Sequence, residues 1–322
     1  MLQYGLPILY ALLIWWLSTG LVLFLDNLPK STFRWSLLGA TGIFAGGIYG
    51  LAVTAFDQSV TGAYLAFTCS LGIWGWQELT YYTGFLTGPR KHICPPDCSD
   101  WQRFSLAIQT SLYHELAVVF TALFIIALTF GAPNQVGTWT FLVLWLMRWS
   151  AKLNLFLGVP NLNEEWLPEH LRFLKSYLGN RPINLLFPLS VTAATVVTVL
   201  MVRAALASPD AGTAVGLLLV ATLLALAVLE HWFLVLPLPD AALWHWAIAW
   251  KNPPPSDATA GSTDSADKQQ QTASEAVPAP QSLSNAEATT VGRSERHSQT
   301  LPLTHEYRGS VTFSLSPTGI EY

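Results

Sequence analysis

Charge is scarce in this sequence. Asp, Glu, Lys and Arg make up 11% of its 322 residues, where a soluble domain carries about 25%, so an ordinary water-soluble domain is excluded. Three cysteines are too few for a disulfide framework. A net charge of −4 leaves no basic footprint for nucleic acid. No nucleophile elbow, P-loop, dinucleotide fingerprint or zincin helix occurs, so the chain offers no enzyme signature. No repeat of 20–50 residues is visible, and no apolar run is interrupted at its middle; both are usual in transporters, which ranks that class last. The first apolar run has no basic segment before it and reads as a retained span, not a cleaved signal.

What is present is apolar length. Of all residues 52% are apolar, and seven stretches approach the ~20 residues that cross a bilayer as helix: roughly 5–25, 35–55, 60–82, 104–130, 137–157, 183–206 and 212–236. Helix is the sensible choice, because lipid offers no partner to an open strand edge. The breaks carry turn residues, as in "DNLPKS", "TGPRKHICPPDCSD", "GAPNQV" and "ASPDA". Lys30, Arg34, Arg90, Lys91, Arg103, Arg172, Lys175, Arg181 and Lys251 fall on one side of this topology, and only Arg203 on the other. By the positive-inside rule the N-terminus is periplasmic and the C-terminus cytoplasmic.

Two further segments belong at the cytoplasmic face. Residues 168–178 open with Pro168 and space Leu171, Leu174 and Leu178 as on a helix, which predicts a short interfacial amphipathic helix. "AALWHWAIAW", after Pro239, is rich in tryptophan like a belt at headgroup level. The expected fold is thus an all-α integral membrane protein of seven transmembrane helices over residues 1–250, followed by a largely disordered cytoplasmic tail, 251–322. Near its end "GSVTFSLSP" either pairs as a strand with a partner or stays unstructured.

The few charges inside the spans are the candidate site. At ~1.5 Å rise per residue, Arg148 lies ~13 Å and Lys152 ~7 Å from the cytoplasmic end of span five, and His114 and Glu115 lie ~15 Å deep in span four. Glu78 sits in the inner half of span three, and Glu230 and His231 near the inner end of span seven. An ionised group at mid-bilayer costs roughly 2.5–3.5 kcal/mol, so five unpaired would cost on the order of 10 kcal/mol. They should meet inside the bundle, with Arg148 and Lys152, four apart on one face, against Glu115 and either Glu78 or Glu230. Three acids against two cations leave one acid over. The set reads either as a network fixing helix register or as a binding or proton site.

His114 and His231 each offer an imidazole for a metal or pigment magnesium, or serve as hydrogen-bonded core histidines. The adjacent "HE" and "EH" lack the Glu-x-x-His spacing of a di-iron bundle. "HICPPDC" presents His92, Cys94 and Cys98, short of a fourth ligand and of C-x-x-C spacing for zinc, and otherwise reads as a proline-held loop. Asn161, Asn163, Glu164 and Glu165 form an acidic turn that either caps the interfacial helix or, extended by Glu169 and His170, docks a basic partner surface.

"WGWQELTYYTGFLTGPR", "LYHELAVV" and "WTFLVLWLMRWSAKLNLFLGVPNLNEEWLPEHLRFLKSYL" resemble the PuhE-type photosynthetic complex assembly proteins of purple phototrophic bacteria, most strongly from about 72 to 190. The resemblance implies a multi-pass protein of the bacterial inner (intracytoplasmic) membrane that supports assembly of the reaction centre and core antenna. It brings no established catalytic residues. The tail from 252 departs from the family pattern. Expected partners are the lipid bilayer, reaction-centre or light-harvesting subunits and other assembly factors. The alternative is pigment handling, with bacteriochlorophyll on His114 or His231 and the surplus acid as proton acceptor.

Overall fold

In the computed structural model, residues 2–161, 168–179, 181–182 and 184–236 are described. Asn163, Glu164, Glu165, the tryptophan-rich 241–250 and the tail 251–322 lie outside the described residues. Seven long helices account for most of the rest: α1 Leu2–Asn27, α2 Phe33–Thr54, α3 Val60–Tyr82, α4 Asp100–Leu128, α5 Val136–Leu157, α6 Leu186–Ala207 and α7 Ala211–Phe233. No strand occurs among the described residues.

Local chemistry sets the starts of these helices. Ser59 Oγ accepts from the Gly62 amide at 3.0 Å at the head of α3. Ser99 and Gln102 close a reciprocal capping box on α4, and Asp210 accepts from the Thr213 amide at 2.6 Å on α7. Gly158, at φ +114°, ends α5 in a conformation closed to other residues.

Five of the seven helices (α1, α2, α4, α6 and α7) are long and apolar enough to cross a membrane. Helices α3 and α5 match them in length, at 23 and 22 residues, but fall short in hydropathy. Both carry polar side chains: Gln77 and Glu78 in α3, and Arg148, Lys152 and Asn154 in α5. These two are interior helices. Together with α1 and α7 they form the centre of the bundle, while α2 pairs with α3 and α6 with α7. Helix α7 has 67% of its most apolar window buried, against 17% for α6. Outer faces are apolar, with Phe120, Leu189 and Leu38 exposed, as suits lipid and not water.

The α2–α3, α4–α5 and α6–α7 loops gather at one end. Asn134 donates to the carbonyls of Thr54 at 3.0 Å and Asp57 at 2.9 Å, and Gly212 lies against the Gln58 carbonyl. The α3–α4 and α5–α6 connections meet at the other, basic end, which carries Arg90, Lys91, Arg103, Arg172, Lys175 and Arg181. Near the first end the helices pack closely through apolar clusters. Ala11, Ala63, Phe67, Val215 and Leu219 pack as one cluster, and Leu51, Ala66, Val118, Ala122, Ile125 and Phe141 as another. Lipid is as apolar as leucine, so close packing and interhelical hydrogen bonds hold such helices together. Ser70 Oγ donates to the Gly137 carbonyl at 2.8 Å, and Gln77 Nε2 to Thr121 Oγ1 at 2.8 Å.

The expected interfacial α-helix is instead a 3-10 helix, Glu169–Tyr177. With three residues per turn, Leu171, Leu174 and Tyr177 align on one face. Leu171 and Tyr177 are buried against the protein, so the apolar stripe faces the bundle and not the headgroups alone.

Candidate functional site: paired charges around a cavity

Toward the basic end the bundle opens into a cavity of about 720 Å³, within the ~300–1,000 Å³ usual for small-molecule sites. Five helices line it: α1 supplies Trp15 and Leu23, α3 Trp74 and Gly75, α4 Phe104 and Ile108, α5 Val143 and Met147, and α7 Leu223 and Phe233. Leu174, Tyr177 and Leu178 close the basic end. The walls are mostly apolar and aromatic, interrupted by the charged Glu78, Glu115, Arg148, Lys152 and Glu230.

Four of those charges form two pairs. Arg148 Nη2 stands 3.0 Å from Glu78 Oε2 and donates to Tyr82 Oη at 2.7 Å, its guanidinium 5.7 Å from the centre of the Tyr82 ring. Lys152 Nζ stands 2.5 Å from Glu115 Oε1, and Trp149 Nε1 donates to the other oxygen of the same carboxylate at 2.6 Å. Depth leaves the pairing open and angle decides it: four residues along an α-helix advance ~40° around the axis, which turns Arg148 to α3 and Lys152 to α4. Arg148 and Lys152 keep 32% and 28% side-chain exposure, and both line the cavity.

Glu230 is the acid left over. It is exposed, lines the cavity, and shares a hydrogen bond with the Trp15 indole. Sequence reading missed Trp15, Tyr82 and Trp149. Tyr82 had a signal, since it follows Glu78 by four residues and so shares its face. Trp15, on a helix distant in sequence, had none.

The two histidines do not enter the cavity lining. His231 is buried, with Nδ1 2.8 Å from the Ala227 carbonyl and Nε2 2.8 Å from Ser150 Oγ. A carbonyl only accepts, so Nδ1 carries the proton and Nε2 accepts from the hydroxyl. Both nitrogens are engaged, and a ligand on His231 would have to displace Ser150. His114 is 1% exposed, 4.8 Å from the Tyr81 ring centre, and its Nδ1 has no hydrogen-bond partner among the described residues.

Of the candidate docking residues, Asn161 ties the chain to the end of α7. Its amide side chain donates to the carbonyls of Phe233, at 3.2 Å, and Leu236, while its backbone amide donates to Leu234 O at 3.1 Å. His170 packs over Gly84, and Glu169 begins the 3-10 helix. No group of three His, Cys, Asp or Glu suited to a metal occurs among the described residues, so His92, Cys94 and Cys98 do not assemble as a zinc site.

The sequence profile of DUF3623, described as a protein of unknown function, matches residues 1–254. The chain belongs to the DUF3623 family. That span takes in all seven helices and every charge around the cavity. The chain is also 40% identical over 245 residues to the "Uncharacterized 30.4 kDa protein in puhA 5'region" of Rhodobacter capsulatus, covering 74% of this chain and 89% of that protein. No solved structure matches.

Proposed function

We propose that this DUF3623 member is a PuhE-type assembly factor for the photosynthetic reaction centre and core antenna of an anoxygenic phototroph. The observation that carries the reading is the relative named for the region 5' of puhA, a photosynthesis gene. The chain crosses the bacterial inner, intracytoplasmic membrane seven times, with its N-terminus periplasmic. Supporting this count, α3 and α5 match the apolar helices in length, and successive loops alternate between two ends. Supporting the orientation, the basic residues collect at one end. The paired charges fix the interior helices, and the docking residues Asn161, Asn163, Glu164, Glu165, Glu169 and His170 meet a basic surface of the assembling subunits. Crosslinking in phototrophic membranes, followed by mild-detergent purification, should recover reaction-centre or light-harvesting polypeptides. Recovery of the bait alone overturns the proposal.

The cavity favours a second reading, in which the protein holds bacteriochlorophyll during assembly. Its aromatic walls suit an apolar ligand; His114, buried outside the lining against Tyr81, would have to turn into the cavity to ligate it, since His231 is already engaged. Protein purified from phototrophic membranes should then absorb at long wavelength, and His114→Ala should lose that absorbance. A colourless preparation that still supports assembly excludes it.

A further inference from the structure

Cys94 and Cys98 lie outside the cavity lining, on the α3–α4 loop at the basic end. Their Sγ atoms are 2.8 Å apart, and both residues are half-buried with free thiols. Nothing in a flexible loop would hold two thiols in contact; here several ties do. The segment between them is Pro95–Pro96–Asp97, whose prolines fix two backbone angles. The Cys98 amide turns back on the Pro95 carbonyl. On one side, the Cys94 amide donates to Ser176 Oγ at 2.8 Å, and Tyr177 Oη donates to the His92 carbonyl at 2.8 Å while accepting from Arg90 Nε at 2.6 Å. On the other, Cys98 runs directly into the Ser99–Gln102 capping box of α4. Both flanks of the pair are anchored, and no third metal donor joins it among the described residues.

We propose that Cys94 and Cys98 form a reversible dithiol–disulfide site that exchanges with low-molecular-weight disulfides of the glutathione class. In the forward direction one cysteine thiolate attacks a sulfur of the small disulfide, giving a mixed disulfide and releasing one small thiolate. The second cysteine, already in contact, attacks the protein sulfur of that mixed disulfide. The protein S–S bond forms, the second small thiolate leaves, and the two protons lost by the cysteines end on the two released thiols. Two protein thiols are oxidised and one small disulfide is reduced. Burial, followed by Cys98 itself, holds the Cys94 thiol above its ordinary value, so exchange should quicken as pH rises past the usual thiol range. The site sits on the seam between the loop and the 3-10 helix, whose Tyr177 also lines the cavity, so its redox state bears on the closed end of that cavity.

The test uses the full-length wild-type protein in detergent, equilibrated anaerobically with graded mixtures of reduced and oxidised glutathione, acid-quenched, and read by maleimide counting and peptide mass spectrometry. Two of the three thiols should disappear together, with a Cys94–Cys98 crosslink lighter by two hydrogens, while Cys69 remains reduced inside α3. Cys98→Ser should trap the glutathione adduct on Cys94 in place of the ring. Three titratable thiols at every ratio would overturn the proposal, as would glutathione adducts on the wild type without ring closure.

Discussion

Toward the α2–α3, α4–α5 and α6–α7 loops the helices pack closely and leave a cavity of only about 160 Å³; toward the basic end the same helices enclose charge and about 720 Å³. Helices α3, α5 and α7 pass through both halves, so the difference lies in side chains. In the tight half small residues bring backbones together: a Cβ added at Gly212 would stand 1.8 Å from the Gln58 carbonyl oxygen. In the open half aromatic rings and ion pairs hold the helices apart: a Cβ at Gly75, which lines the cavity, would meet nothing within 4 Å. Packing supplies cohesion in the first half. Charge pairing supplies it in the second, which frees space that packing would fill.

Removing one cation attacks the open half most severely. Arg148→Leu strands Glu78, whose side chain is 12% exposed, and breaking such a pair costs about 3–5 kcal/mol; the amount of folded protein in membranes should drop sharply. Glu78→Gln should restore much of the loss, whereas Glu115→Gln should rescue only Lys152→Leu. A double-mutant cycle by thermal unfolding in detergent measures both couplings, and a larger coupling of Arg148 to Glu115 would contradict the geometry. Next in size is Gly212→Ala, where overpacking against a backbone oxygen should cost about 1–3 kcal/mol. Gly75→Ala should instead gain about 0.5–1 kcal/mol from helix propensity. Equal losses at Gly212 and Gly75 would erase the contrast between the halves.

Smaller effects come from single polar groups. Glu230→Gln removes the unpaired acid without orphaning a cation, and the amide oxygen can still accept from Trp15. Its unfolding midpoint should move by no more than about 1 kcal/mol equivalent, the worth of one hydrogen bond. The least effect belongs to exposed Asp210, whose hydrogen bonds to Thr213 hold its carboxyl below the ordinary value of 3.8. A lowered folded-state pKa gives stability above the unfolded value, lost as pH falls through the folded one. Asp210→Ala should therefore lower Tm slightly at neutral pH, and the gap should close in acid as the wild-type carboxyl protonates. A gap that widens in acid would reverse the sign.

Much of this was legible along the chain. The turn residues of "TGPRKHICPPDCSD", "GAPNQV" and "ASPDA" announce the breaks between helices, because proline and glycine stop a helix where they stand. Arg148, Lys152, Glu78, Glu115 and Glu230 announce a shared interior, since lipid tolerates no lone ion. The spacing of Leu171, Leu174 and Leu178 pointed to a helix at 168–178 but not to its pitch: the segment winds as a 3-10 helix, with the period of three through Leu171, Leu174 and Tyr177 prevailing.

Composition by itself determined that the chain is helical and apolar outside, because only a segment that satisfies its own backbone is stable against lipid. It also determined that the buried charges must meet and that one acid would remain over. Tertiary structure alone decided that Arg148 takes Glu78, that Lys152 takes Glu115, that Trp15 attends the surplus Glu230, and that a cavity lies among them. Such choices depend on how helices rotate and approach one another, and rotation is set by all their faces at once.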